Sequence, residues 1–94
     1  MSEKLPPPRI AILGARGIGR VHARIFQALG ADVCAVLGRD QASAGQAVRD
    51  LSDSFGIAAV AFSDLKTLLS QPLDGVSICT PPVHHFEQII AAFD

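Results

Sequence analysis

The chain predicts an α/β fold, a four-stranded parallel sheet of order 3-2-1-4 with flanking helices and no second domain. Three observations lead there. Short, β-prone apolar runs alternate along the 94 residues with segments of helical period. A glycine-rich stretch, "GARGIG" at 14–19, stands between the first such run and the first helical segment. Apolar residues make up 49% of the chain, and the 8 glycines bring the count to about 57%, an excess that suits a sheet covered on both faces or one that expects a partner. Ninety-four residues build one core and not two.

The elements follow in order. Pro6, Pro7 and Pro8 fix φ and remove backbone donors, so residues 1–8 are expected to form an extended proline-rich tail. "RIAIL" is the first strand. The first helix opens after the glycine stretch, with Ile18, His22, Ile25 and Leu29 expected on its core-facing stripe and Gly30 as its stop. "ADVCAVL" is the second strand, and Asp40 caps a second helix that buries Ala44, Ala47, Val48, Leu51 and Phe55.

"IAAVAF" is the short third strand. Ser63 or Asp64 caps a brief helix carrying Leu65, Leu68 and Leu69, and "QPLDG" turns into the fourth strand, "GVSICT", which Pro81 and Pro82 end. A last helix places Phe86, Ile89, Ile90 and Phe93 at helical spacing. Right-handed crossovers between these strands give the order 3-2-1-4 and put the topological switch point between strands 1 and 4. Ligands of such sheets bind beyond the carboxyl ends of the strands at that point. The loops of interest are therefore "GARGIG", "LGRD" and "TPPVHH".

Composition removes several classes of function. A formal net charge of −1 offers no basic field for a polyanion, so nucleic acid is not an expected partner. No apolar run approaches the roughly 20 residues of a membrane span, and "MSEKLPPPR" has no apolar leader, so no membrane partner and a cytoplasmic location are expected. Cys34 and Cys79 lie in apolar strand-like runs and read as buried structural thiols.

A glycine turn between strand and helix suits phosphate because the first helical turn leaves N–H groups unpaired and its dipole favours an anion. Gly14 makes the turn out of the strand, and Gly19 lets helix and strand pack closely. The third position of the usual GxGxxG pattern is Arg16, and Gly17 supplies the close-approach position one residue later, so the pattern reads GxxGxG. The guanidinium of Arg16 either lies along a phosphate or stands in solvent.

The position nineteen after Gly19, where an NAD-binding fold offers an acid to the ribose 2′-hydroxyl, is Gly38, followed by Arg39. Glycine leaves room for a 2′-phosphate, and arginine offers a planar, permanently charged donor set. NADP is therefore the expected cofactor. NAD remains the alternative through Asp40, read either as the ribose acid displaced by two positions or as a helix cap.

Together "GARGIGRVHARI" and "DGVSICTPPVHHFEQIIAA" resemble the N-terminal half of the glucose-fructose oxidoreductase, inositol dehydrogenase and MocA (Gfo/Idh/MocA) family. The likeness runs from about Arg9 to Asp94. It implies an incomplete NAD(P)-binding Rossmann domain over residues 9–94, in which Gly14, Gly17, Ile18 and Gly19 grip the pyrophosphate. By the same likeness Gly38 and Arg39 choose between the cofactors, Thr80 and Pro81 lie along the nicotinamide ribose, and His85 follows them.

Family members continue into a Glu-Lys-Pro segment, whose lysine acts near the reacting carbon, and then a large substrate domain. Neither is in these 94 residues. Binding without unaided hydride transfer is therefore expected, with no catalytic residue assigned: there is no tyrosine, Lys4 lies in the tail, and Lys66 lies on a surface helix. His84 and His85 at a helix start are expected to be neutral acceptors rather than acids. With strand 4 at an edge, self-association or pairing with a separately encoded C-terminal half is an expected partner mode. The contrasting expectation is a non-catalytic interaction protein, or a truncated remnant, that keeps the fold without cofactor.

Overall fold

A computed structural model describes residues 6–15 and 17–79. The elements are β1 (Arg9–Leu13), α1 (Ile18–Ala28), β2 (Asp32–Leu37), α2 (Gln41–Phe55), β3 (Val60–Phe62), α3 (Leu65–Leu69) and β4 (Gly75–Ile78). The four strands form one all-parallel sheet of order β3-β2-β1-β4, as the sequence predicts. The last helix expected from the sequence, over Phe86 to Phe93, lies outside the described residues.

Strand periodicity divides the core between the two faces of the sheet. On one face Ile12, Val33 and Val36 meet Ala23 of α1 and Ala47 and Leu51 of α2. On the other, Ala11, Leu13, Ala35 and Leu37 pack with Leu68 of α3. The ladder between β1 and β2 slips once, pairing Ile10 with Val33 but Ala11 with Ala35. Cys34 is the residue passed over, and it lies beside Ala35 in the second cluster. Its thiol reaches the Ile10 carbonyl at 3.7 Å, and desolvation raises its pKa. Cys34 and Cys79 are both half-buried and free, where burial was expected.

Both predicted caps form. Asp40 accepts from the Ser43 N–H at 2.7 Å, and Asp64, rather than Ser63, accepts from the Thr67 N–H at 3.0 Å. Helix α2 ends in a left-handed glycine cap: Gly56 has φ 69°, its N–H returns to Ser52, and the Ile57 N–H returns to the Leu51 carbonyl. That turn explains why β3 is shorter than "IAAVAF". The backbone of Ile57 is spent on closing the helix while its side chain joins Leu51 in the core, so strand pairing begins only at Val60.

The expected core stripe of α1 is corrected. Ile18 (59% exposed), Ile25 (50%) and Leu29 (79%) face outward, and the buried line runs through Gly19 and Ala23, with Phe26 packed beside it. The reason is closeness of approach. Small residues let the helix backbone sit against the sheet, so the contact line follows residue size rather than hydrophobicity.

The capping carboxylates set an acid limit on stability. For Asp40 the Ser43 N–H and then its side chain, and for Asp64 the Thr67 side chain and then its N–H, hold the charged form and lower each pKa below the usual 3.8. A folded pKa below the unfolded one stabilises above the unfolded value and is lost as pH falls through the folded value. The share of stability from these two groups is therefore expected to be constant above about pH 5 and to be lost progressively as pH falls below about 4 and on through the lowered folded values. Urea midpoints measured from pH 3 to pH 7 should show a shallower acid limb in an Asp40→Asn, Asp64→Asn double variant, since asparagine caps without titrating.

Candidate functional site

The carboxyl ends of the strands are stitched together beyond the regular ladders. Gly14 N–H donates to the Leu37 carbonyl at 3.0 Å, Gly38 N–H to Phe62 at 2.9 Å, and Cys79 N–H to Leu13 at 2.9 Å. The loops after β1 and β2, and Cys79, from which the loop after β4 departs, are thereby held along one edge of the sheet. These are the loops that the switch-point rule selects.

The three glycines of the first loop serve three different purposes. Gly14 turns out of β1 at φ 86°. Gly17, at φ 58° and ψ −120°, holds a backbone conformation open in practice to glycine alone, and a Cβ there would meet nothing within 4 Å. Gly19 faces the opposite condition: a Cβ would stand 1.7 Å from the Gly14 carbonyl oxygen and 3.2 Å from Cys79 Cβ. Conformation requires the first two, and packing requires the third.

Helix α1 starts at Gly17 without a side-chain cap and without an acid in its first turn. The positive end of its dipole is therefore not neutralised by its own sequence. Its flank is anchored to α2 through Arg20, which donates to Asp50 at 2.7 Å and Ser54 at 3.1 Å and lies over the Phe55 ring at 4.7 Å. Sequence reasoning missed this anchor, whose only trace is the i, i+4 pair of Asp50 and Ser54.

After β2, Gly38 has a packing reason of its own. A Cβ would stand 2.5 to 2.7 Å from the backbone and Cβ of Ala44, so the loop lies directly on the first turn of α2. Arg39 is 83% exposed, with Nε 3.7 Å from Asp40 Oδ2 and a terminal nitrogen 3.5 Å from Ser43 Oγ. Asp40 spends one oxygen on the Ser43 N–H and turns the other toward Arg39.

His22 is half-buried between α1 and β4. Its Nδ1 lies 3.2 Å from Ser77 Oγ and 3.3 Å from Cys79 Sγ, and those two atoms are 3.3 Å apart. Ser77 was not singled out from the sequence, although its i, i+2 spacing to Cys79 places both on one face of an extended segment. Arg16, Thr80, Pro81, His84 and His85 lie outside the described residues. Among the described residues no three His, Cys, Asp or Glu side chains are grouped to hold a metal, and no helix is long and apolar enough to cross a membrane.

The model of an oxidoreductase family with an NAD-binding Rossmann fold, Gfo/Idh/MocA, matches residues 8–94. The chain belongs to this family. The Gfo/Idh/MocA chain superimposes on myo-inositol dehydrogenase from Lactobacillus casei, solved with NAD(H) and myo-inositol, at a TM-score of 0.81 and 28% identity over 94% of its length. A probable dehydrogenase from Thermotoga maritima matches at a TM-score of 0.69 and 26% identity over 89%. Myo-inositol 2-dehydrogenase from Lactobacillus plantarum, at 22% identity and a TM-score of 0.73, shares the fold. The chain spans about a quarter of these proteins: 26%, 24% and 25% of their respective lengths. No curated protein sequence matches it.

Proposed function

We propose that this Gfo/Idh/MocA chain binds a dinucleotide at the β1–α1 turn, prefers NADP to NAD, and does not transfer hydride unaided. The observation that carries the reading is the glycine turn. A ligand phosphate approaching Gly17 meets open space, uncapped N–H groups and the positive end of α1, while Gly19 holds the helix against Gly14. Gly14, Gly17, Ile18 and Gly19 would hold the pyrophosphate, with Arg16 beside it. Thr80, Pro81 and His85 would lie on the nicotinamide side. A bound nicotinamide would supply hydride transfer.

The NADP preference rests on the loop after β2. An exposed guanidinium at Arg39 suits a phosphate dianion, and Asp40 is occupied with capping α2, which leaves it poorly placed to serve a ribose hydroxyl. The family is described as NAD-binding and the Lactobacillus casei enzyme was solved with NAD(H), which supports the dinucleotide class without distinguishing the two cofactors for this chain. Unaided turnover is not expected because hydride transfer also needs a proton donor or acceptor near the substrate oxygen. His22 is engaged with Ser77 and Cys79, and Lys66 sits on α3.

A second reading, an interaction protein that keeps the fold without cofactor, is favoured by the outward apolar line of Ile18, Val21 and Ile25 on α1, continued by Leu29 at its C-cap. One titration separates the two. Isothermal calorimetry with NADP and NAD should show NADP binding more tightly. Absence of binding at about 1 mM or better for either would overturn the cofactor reading, and NAD binding at least as tightly as NADP would overturn the preference.

A further inference from the structure

We infer that Cys79 is an oxidation-sensitive thiol, which a small peroxide converts to the sulfenic acid with His22 as the proton acceptor. The thiol does not stand alone. Its sulfur lies 3.3 Å from His22 Nδ1 and 3.3 Å from Ser77 Oγ, where α1 meets the carboxyl end of β4. A nucleophile, a base and a hydroxyl donor thus converge on one half-buried point, and the phosphate-binding turn uses none of them. The Cys79 N–H donates to the Leu13 carbonyl at 2.9 Å, which holds the thiol-bearing backbone in place.

One ring nitrogen takes one partner at a time. With the imidazole proton on Nε2, Nδ1 has a single lone pair, which accepts from the Cys79 S–H. Ser77 Oγ is 3.2 Å from the same nitrogen, and its proton turns to sulfur when the thiol holds the lone pair. Once Nδ1 has taken the thiol proton, the sulfur keeps two donors from two different groups, the Nδ1–H and the Ser77 hydroxyl.

The sulfur electron pair then attacks one peroxide oxygen, and the S–O bond forms as the O–O bond breaks. The proton on Nδ1 passes to the departing hydroxide, which leaves as water. Sulfur loses two electrons, the peroxide oxygens gain them, and the imidazole ends neutral. Cys34 is the internal comparison. It is also half-buried and free, but its thiol faces the Ile10 carbonyl at 3.7 Å, an acceptor that cannot carry a proton away, and burial pushes its pKa up.

A sulfenic acid is larger and more polar than a thiol, and a Cβ at Gly19 would already stand 3.2 Å from Cys79 Cβ. Oxidation therefore disturbs the start of α1, and, on the dinucleotide reading above, the turn that holds the pyrophosphate.

The test is a timed treatment of the 94-residue chain with hydrogen peroxide, with dimedone to trap the sulfenic acid and mass spectrometry to locate it. Cys79 should be trapped about tenfold faster than Cys34, a modest share of what a positioned base supplies. In urea, where no base is positioned, the two rates should converge, a comparison that needs no variant. His22→Asn, which keeps a polar group but takes no proton, should bring the Cys79 rate down to that of Cys34. Equal rates in the folded protein, faster trapping at Cys34, or rates that stay apart in urea would overturn the assignment of Cys79. An unchanged Cys79 rate in His22→Asn would overturn the role of His22. Oxidised protein should bind NADP about tenfold more weakly, the scale of one lost hydrogen bond, and Cys79→Ser protein should bind it equally before and after peroxide. Unaltered NADP affinity after oxidation would overturn the link to the turn. Untreated protein that binds no dinucleotide would overturn the cofactor reading and leave the thiol assignment standing.

Discussion

Gly19→Ala is expected to eliminate dinucleotide binding and to cost about 3 kcal/mol or more of stability, at the upper end of what overpacking a close contact costs. The added methyl would stand 1.7 Å from the carbonyl oxygen of Gly14, a backbone atom that no rotamer change can move aside. Helix α1 must then lift from the sheet, and with it the turn at Gly17 and the contact with Cys79. Gly17→Ala is the informative control. Its Cβ meets nothing, so only the backbone conformation at φ 58° and ψ −120° is strained, at about 1–3 kcal/mol. Urea unfolding of the two variants should rank Gly19→Ala as the more damaging. Equal or reversed costs would mean that the loop relaxes more freely than its packing indicates.

Arg39→Asp is expected to reverse the cofactor preference, lowering NADP affinity about 100-fold and leaving NAD bound equally well or slightly better. Charge-assisted hydrogen bonds to a phosphate contribute about 1.5–3 kcal/mol, and the new carboxylate adds repulsion of the 2′-phosphate. The fold should not suffer. Arg39 is 83% exposed, and its contacts with Asp40 and Ser43 are long and solvent-screened. Titration at low and at moderate salt checks the cause, because part of the NADP loss should shrink as the charges are screened. An unchanged ratio of the two affinities would remove Arg39 from the specificity argument.

Much of this architecture is legible in residue patterns because the forces involved are local. Asp40 and Asp64 cap where an acid precedes an amphipathic run, and Gly30 stops a helix at positive φ. Strand order follows from the sequence of strands and the handedness of crossovers. The candidate site reads from the sequence as a set of loops, since ligand crevices in parallel sheets form where the strand order reverses, and the loop after β4 lies outside the described residues. The internal contacts of the site were less legible. Gly38 reads as space for a phosphate, yet it is also the point where the loop rests on Ala44, a contact between residues six apart that no motif reports.

The sequence by itself determined the kinds of element, their order, the order of strands in the sheet and the glycine turn, because each depends on short-range periodicity, backbone stereochemistry and chain connectivity. Tertiary structure alone decided which face of α1 is buried, where β3 begins and what His22 touches. Periodicity records where apolar residues recur but not how closely two backbones approach. At Gly19 that approach is close enough to turn Gly19 and Ala23 of α1 inward and Ile18, Val21 and Ile25 outward. The same approach brings His22 to Ser77 and Cys79, 55 and 57 residues away in the chain.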